Sequence, residues 1–239
     1  MRRDSSETKR KILTVCVRLF LEQGYKNTSV SQIVDEAGVA RGSYLNLFPT
    51  KDRILLDLTE TMFGGQFGVA RSIADSKLPP VYAYAVETAI QLTLTELNEN
   101  LREIYIEAYT QKEASEYIFR ETTKELHQIF GSYLPGLTLR DFYEMEIGSA
   151  SIMRGYMAHP CDDELTLEKK LRLFITMSLR VYNVPNEEID KAIHFVEGLD
   201  IRTISEQVMQ QLFKVLAMHF EFSLQGIEKA NITKTEGIK

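Results

Sequence analysis

ILTVCVRLFLEQGYKNTSVSQIVDEAGVARGSYLNLFPTKDRILL, residues 12–56, reads as three short helices with tight joints and the start of a fourth. Ile12, Leu13, Cys16, Leu19 and Phe20 recur at the spacing of one apolar helix face. Gly24 stands where that helix should stop, since glycine takes the left-handed cap without a side-chain clash. Ser29 lies three residues before Gln32, a capping-box pattern for a new helix, and Val30, Ile33, Val34 and Ala37 give that helix a buried stripe. Gly38 ends it, and a third helix is predicted from Ala40 to about Phe48. Two short helices joined through a glycine turn form a helix-turn-helix, whose second member is free to enter a DNA major groove.

Within the third helix, Tyr44, Leu47 and Phe48 share a face and should point inward. Ala40, Arg41, Gly42, Ser43, Leu45 and Asn46 are left for the groove or its rims. Arg41 has the geometry to bridge guanine O6/N7 or a phosphate, and Asn46 to pair with adenine N6/N7. Gly42 lets the helix come close to the bases. Thr28 and Ser29 offer hydroxyls and backbone N–H groups to a phosphate, with Ser29 also the cap. Pro49 fixes the following turn, and Thr50 caps a fourth helix that Lys51 and Arg53 open.

The ordered set Ile12-Leu13, Leu19-Phe20, Gly24-Tyr25, TSV at 28–30, AGV at 37–39, Gly42-Ser43, Phe48, Lys51-Asp52 and Leu55 resembles the TetR family of transcriptional regulators. The resemblance covers about forty-five residues and stops before residue 60. It implies an all-α chain: a three-helix DNA-binding domain over 1–53 and a larger helical ligand-binding and dimerisation bundle over 54–239. It also implies double-stranded DNA as a partner, a homodimer built on the last long helices, phosphate contact near Thr28 and Ser29, and Lys51 as a phosphate-contacting lysine. Three positions depart from the family pattern. Ala40 replaces the usual Ser or Thr cap, forfeiting about 1 kcal/mol, and Leu45 and Leu47 stand where tyrosine is common. Leu45 cannot donate to a phosphate but is suited to a thymine methyl.

The net charge of −6 hides an asymmetry: residues 1–53 hold ten Lys/Arg against six Asp/Glu, and the remainder eighteen against twenty-eight. A basic head on an acidic body suits a DNA binder, because attraction to phosphates is screened over about 8 Å and local sign outweighs the total. Arg2, Arg3, Lys9, Arg10 and Lys11 are expected to precede the first helix, either along a phosphate backbone or as a solvated tail. No apolar run of membrane-spanning length and no signal-peptide core appears, and the two cysteines, Cys16 and Cys161, are far apart in sequence. A cytoplasmic protein without disulfides is expected. No nucleophile elbow, phosphate loop, zinc-protease motif or dinucleotide fingerprint is present, so neither an enzyme nor a cofactor is expected. HPCDD at 159–163 lacks partners at metal-ligand spacing, so no metal is expected either.

Beyond residue 54 the chain reads as long helices, near 81–110, 113–133, 139–159, 167–184, a short one capped by Asn186, and 201–225. Gly64, Gly65 and Gly68 interrupt the fourth helix and suggest either a flexible joint or close packing. Leu167–Val184 and Ile201–Leu224 are the candidate dimer helices, the latter through Val208, Leu212, Val215, Leu216, His219 and Phe222. Tyr105, Tyr109, Met145, Tyr156, Phe174 and Met177 are the candidate pocket, with Phe119 and Met153 nearby, for an apolar or amphipathic effector. Glu107, Glu144 and Glu146 are expected on solvated faces. These features describe a ligand-released repressor on a palindromic operator, or alternatively a helical ligand-binding or interaction protein whose DNA head has decayed.

Overall fold

The computed structural model describes residues 2–73, 78–225 and 227, with side chains from residue 5 and not over 63–73. The described residues form eleven helices: α1 (Arg2–Gln23), α2 (Val30–Ala37), α3 (Arg41–Leu47), α4 (Lys51–Ile73), α5 (Pro80–Leu97), α6 (Glu99–Ala108), α7 (Lys112–Phe130), α8 (Leu139–Ala158), α9 (Leu167–Val181), α10 (Asn186–Glu197) and α11 (Ile201–Phe220). Among them no helix is long and apolar enough to cross a membrane.

The body is built around α5. Val81, Ala85, Val86, Ala89, Ile90, Leu92 and Leu94 are buried around its whole circumference, as expected of a helix with no solvent face. It packs against α11, α10, α6, α9, α7 and α8. Its threonines are tolerated inside because each hydroxyl returns to its own helix: Thr88 to Tyr84 O (2.8 Å), Thr93 to Ala89 O (2.7 Å) and Thr95 to Leu92 O (2.7 Å). Glu96 closes its C-terminal end. It accepts from the fully buried Lys170 of α9 (2.6 Å), from Arg102 of α6 (2.9 Å) and from the Cys161 N–H (3.0 Å).

Several boundaries differ from the sequence expectation. The helix expected over 81–110 is two, because Asn98 is extended and its side chain accepts from Leu101 N (2.8 Å), capping α6. Asn186 is the first residue of α10 rather than its cap, which is Pro185. Thr138 does cap α8, with Asp141 returning the bond, and Thr166 caps α9. α11 ends at Phe220, where Glu221 turns left-handed (φ 56°). The helix α4 runs unbroken across Gly64, Gly65 and Gly68. The cations expected ahead of the first helix lie within α1. There Lys9 pairs with Asp57 (2.6 Å), Arg10 with Glu221 (2.6 Å) and Lys11 with Glu7 (3.1 Å), so these three are not loose tail charges.

The helix α1 packs on α6 and α11 as well as on α2 and α3. Asn100 of α6 donates to Leu21 O (2.9 Å), and Glu103 accepts from Lys26 N (3.2 Å). Gly24 permits this approach: its φ is +93°, and a Cβ there would stand 2.6 Å from Glu103 Oε2. The clash is with the end of a flexible side chain, so the backbone sets the cost. Gly24→Ala is expected to lower the unfolding free energy by roughly 1–2 kcal/mol, measured by urea denaturation; an unchanged midpoint would show that the turn does not need glycine.

Candidate nucleic-acid interface and body cavity

The joint between α2 and α3 follows from short-range chemistry. Ser29 is extended (φ −93°, ψ 153°) and its Oγ accepts from Gln32 N (3.1 Å), capping α2. The capping box is only half made, since Gln32 turns its amide to Gln23 and Glu36 instead of back to Ser29. At the other end Gly38 is left-handed (φ 61°, ψ 37°), its N–H donates to Asp35 O and that of Val39 to Val34 O, both 3.2 Å. Ala40 opens α3 with no side-chain cap, as its identity requires.

Burial then sorts α3 into two faces. Tyr44 is 0% exposed and Phe48 is buried with it, their ring centroids 6.0 Å apart. Leu47 is half-buried against the same core. Ala40, Arg41, Gly42, Ser43, Leu45 and Asn46 are all exposed, Leu45 at 45%. Ser29 is exposed beside them, and Arg41 donates a long bond to Ser31 Oγ (3.5 Å), a residue that the sequence pattern gave no reason to single out.

Two expected phosphate contacts are turned inward. Thr28 is 1% exposed, and its hydroxyl donates to Gly24 O (2.8 Å), because the chain must re-enter the core between α1 and α2. Lys51 is half-buried. Its ammonium donates to Tyr25 O (2.8 Å) and Thr28 O (3.0 Å) and sits 4.0 Å above the Tyr25 ring. Burial pulls its pKa below the ordinary lysine value, against nearby Glu103, Asp52 and Glu107. Here Lys51 staples the α1–α2 turn. The more exposed cations of the head are also paired: Arg18 with Glu22 and Glu36, Lys26 with Glu107 (3.2 Å), Arg53 with Glu113 (3.1 Å). Exposed pairs of this kind contribute about 0–1 kcal/mol each, so exchanging a carboxylate for a phosphate costs little.

The body holds a small cavity of about 30 Å³, room for one or two water molecules, between α5, α7, α8, α9 and the end of α6. Of the six expected pocket residues, Tyr109 and Phe174 line it. Tyr105 is core, and Met145 is half-buried outside the lining. Tyr156 bonds Met177 Sδ (3.4 Å) on the outer side of α8 and α9, where Met177 is 45% exposed. Sequence reasoning missed Tyr84, Thr88 and Gln91 of α5. The signal was there, in polar residues at helical spacing inside an otherwise apolar helix.

Glu146 corrects the expectation of a solvated face: it is 5% exposed and lines the cavity. Its Oε2 accepts from Ser149 Oγ and from Tyr182 OH (3.3 Å). Burial pushes its pKa up to about 7, against the lowering effect of those two donors. The neighbouring phenols of Tyr84, Tyr109 and Tyr182 are driven above their ordinary value by burial and by this carboxylate, and are neutral. Glu107 is also largely covered, its side chain 12% exposed and paired with Lys26, whereas Glu144 is exposed and pairs with Arg140. A wider crevice of about 200 Å³ lies between α9, α10 and α11, but Arg172 and Glu197 at its rim pair with each other and Asp200 caps α11.

These arrangements define a helix-turn-helix protein with a helical body. Residues 12–58 match the family described as bacterial regulatory proteins, tetR family. The chain is 29% identical over 97 residues to the uncharacterized HTH-type transcriptional regulator YuxN of Bacillus subtilis (strain 168), a match spanning 41% of this chain and 31% of that protein. It is 20% identical over 245 residues to the uncharacterized HTH-type transcriptional regulator YerO of the same organism, covering 96% of this chain and 78% of YerO. A crystal structure of a gamma-butyrolactone receptor (ArpA like protein) superposes with a TM-score of 0.42 at 17% identity, over 87% of this chain and 99% of that one. The N-terminal segment is thus similar to the helix-turn-helix segment of the tetR family, and both Bacillus relatives are described as HTH-type transcriptional regulators.

Glu146 generates a pH prediction. An acid whose folded pKa lies above its unfolded value holds its proton more tightly in the native state. The stability this provides is complete below about pH 4.5 and is lost as pH rises to about 7. Glu146→Gln cannot ionise, so its stability relative to the parent is expected to rise by roughly 2–3 kcal/mol between pH 5 and pH 8 in urea titrations. A difference that does not change with pH would mean Glu146 is not held protonated.

Proposed function

We propose that the protein is a dimeric, effector-released repressor that occupies a palindromic operator with residues 40–46 of each copy. The observation that carries the reading is the sorting of α3, with Tyr44 and Phe48 anchoring one side while Arg41, Gly42, Ser43, Leu45 and Asn46 stand clear on the other. Ser29 supports the contact with phosphate from the start of α2. Two half-sites one helical turn apart need two such heads at fixed spacing, hence a dimer.

The face that favours pairing is on α8 and α9. Ile147, Leu173 and Met177 are exposed there, with Gly148, Ser151 and Gly155 keeping α8 flat beside them. The stripe expected on α11 fits less well, because Val208, Leu216 and Phe222 are buried in their own chain. Release by an effector is supported by α6. One end of this helix carries Asn100, bonded to Leu21 in the last turn of α1, and Glu103, bonded to Lys26 in the turn after it, and the other ends at Tyr109 in the cavity wall. An effector that prefers one setting of α6 lowers DNA affinity by linkage.

Selection of bound sequences from random duplex DNA by the full-length protein tests the reading. A palindrome with half-sites one turn apart is expected, with affinity falling steeply as salt rises. Arg41→Ala should weaken that site by about ten- to a hundredfold, in line with the 1–3 kcal/mol of a bidentate base contact. Weak, sequence-blind binding would instead favour a helical ligand-binding protein with a decayed head.

A further inference from the structure

One acceptor oxygen in the lining of the body cavity has no donor. Gln91 is 6% exposed, and its Oε1 is buried with no hydrogen-bond partner among the described residues. Glu146 uses Oε2 for both of its bonds, and burial leaves its carboxyl a proton that an amine can take. The two residues come from different helices, α5 and α8, and line the same space. A buried acceptor left unpaired is costly, so Gln91 Oε1 beside a buried carboxyl describes a site shaped for a donor. Thr88 and Ser149, also in the lining, already spend their hydroxyl protons on Tyr84 O and on Glu146.

The rest of the wall narrows the chemistry. Tyr84, Tyr109 and Phe174 supply ring faces that attract a cation, and Leu126, Ala150 and Met153 supply apolar surface. Among the described lining residues there is no Lys, Arg or His. A carboxylate or phosphate would find no countercharge in this wall, and a purely apolar molecule would leave Gln91 Oε1 unsatisfied. We infer that this cavity binds an amphipathic amine, its ammonium N–H groups shared between Glu146 and Gln91 and its apolar part directed along Leu126, Met153 and Phe174. This rests on the effector-released reading above and replaces its apolar-or-amphipathic effector with a cationic donor. The space of about 30 Å³ suits an ammonium head. The unbranched Met153 and Leu126 are the side chains that must shift to admit the remainder.

Phenethylamine, 2-phenylethanol and 3-phenylpropionate share a ring and differ in the head group. Titration calorimetry of each against the full-length protein is expected to detect the amine and to find the alcohol and the acid at least tenfold weaker. Glu146→Gln should cut amine affinity at least tenfold, and Gln91→Leu severalfold. Gln91→Leu keeps the test available if Glu146→Gln fails to fold. The inference is overturned if the alcohol or acid binds as tightly as the amine, if the amine binds both variants like the parent, or if it does not bind at millimolar concentration. Affinity for the selected duplex, measured with and without the amine, separates the two claims. Amine binding that leaves DNA affinity unchanged removes the repressor-release reading and keeps the site. Intact operator binding with no amine binding removes the site alone.

Discussion

The burial of Tyr44 and Phe48 is the constraint on which the exposed side of α3 depends. A helix of seven residues is too short to hold itself in water. α3 exists because two aromatic side chains four residues apart are sunk into the core of α1 and α4, where Cys16, Phe20 and Leu55 are also buried. Once those two are fixed, the rotation of the helix is fixed, and Arg41, Gly42, Leu45 and Asn46 have no direction left but outward. The left-handed Gly38 sets the angle at which α3 leaves α2. The outward face of α3 thus rests on residues that are themselves buried.

The head is held shut by pairs within the chain. Lys51 ties down the Tyr25 and Thr28 carbonyls, Arg18 bridges α1 to α2 through Glu36, and Lys26 and Arg53 reach to carboxylates on α6 and α7. The same cations form the basic balance of residues 1–53. Charge on the head therefore helps to hold it to the body. Glu103 adds to that hold, since it accepts from the Lys26 backbone while riding on the helix that ends in the cavity wall.

Much of this was legible in the sequence because local rules dominate there. Gly38, Ser29, Thr138 and Thr166 act as written, and the inward and outward faces of α3 follow from a period of 3.6. Failures came where a residue's fate depends on distant packing. Thr28 and Lys51 look like surface groups in any local reading, and only the return of the chain past Tyr25 buries them. Asn98 hid a helix break inside a continuous apolar pattern. The cavity was half found: aromatic periodicity cannot tell the inner side of α9 from the outer, so Phe174 and Met177 were grouped together. The better clue was a polar residue in the wrong company, Gln91 in an apolar helix and Glu146 among phenols.

The central claim is that two copies of α3 lie in successive major grooves of one duplex. Methylation protection reads guanine N7 in the major groove directly. On the selected sequence the account predicts two protected patches centred about 10–10.5 base pairs apart, both lost in Arg41→Ala. A single patch, or protection that survives that substitution, would contradict it.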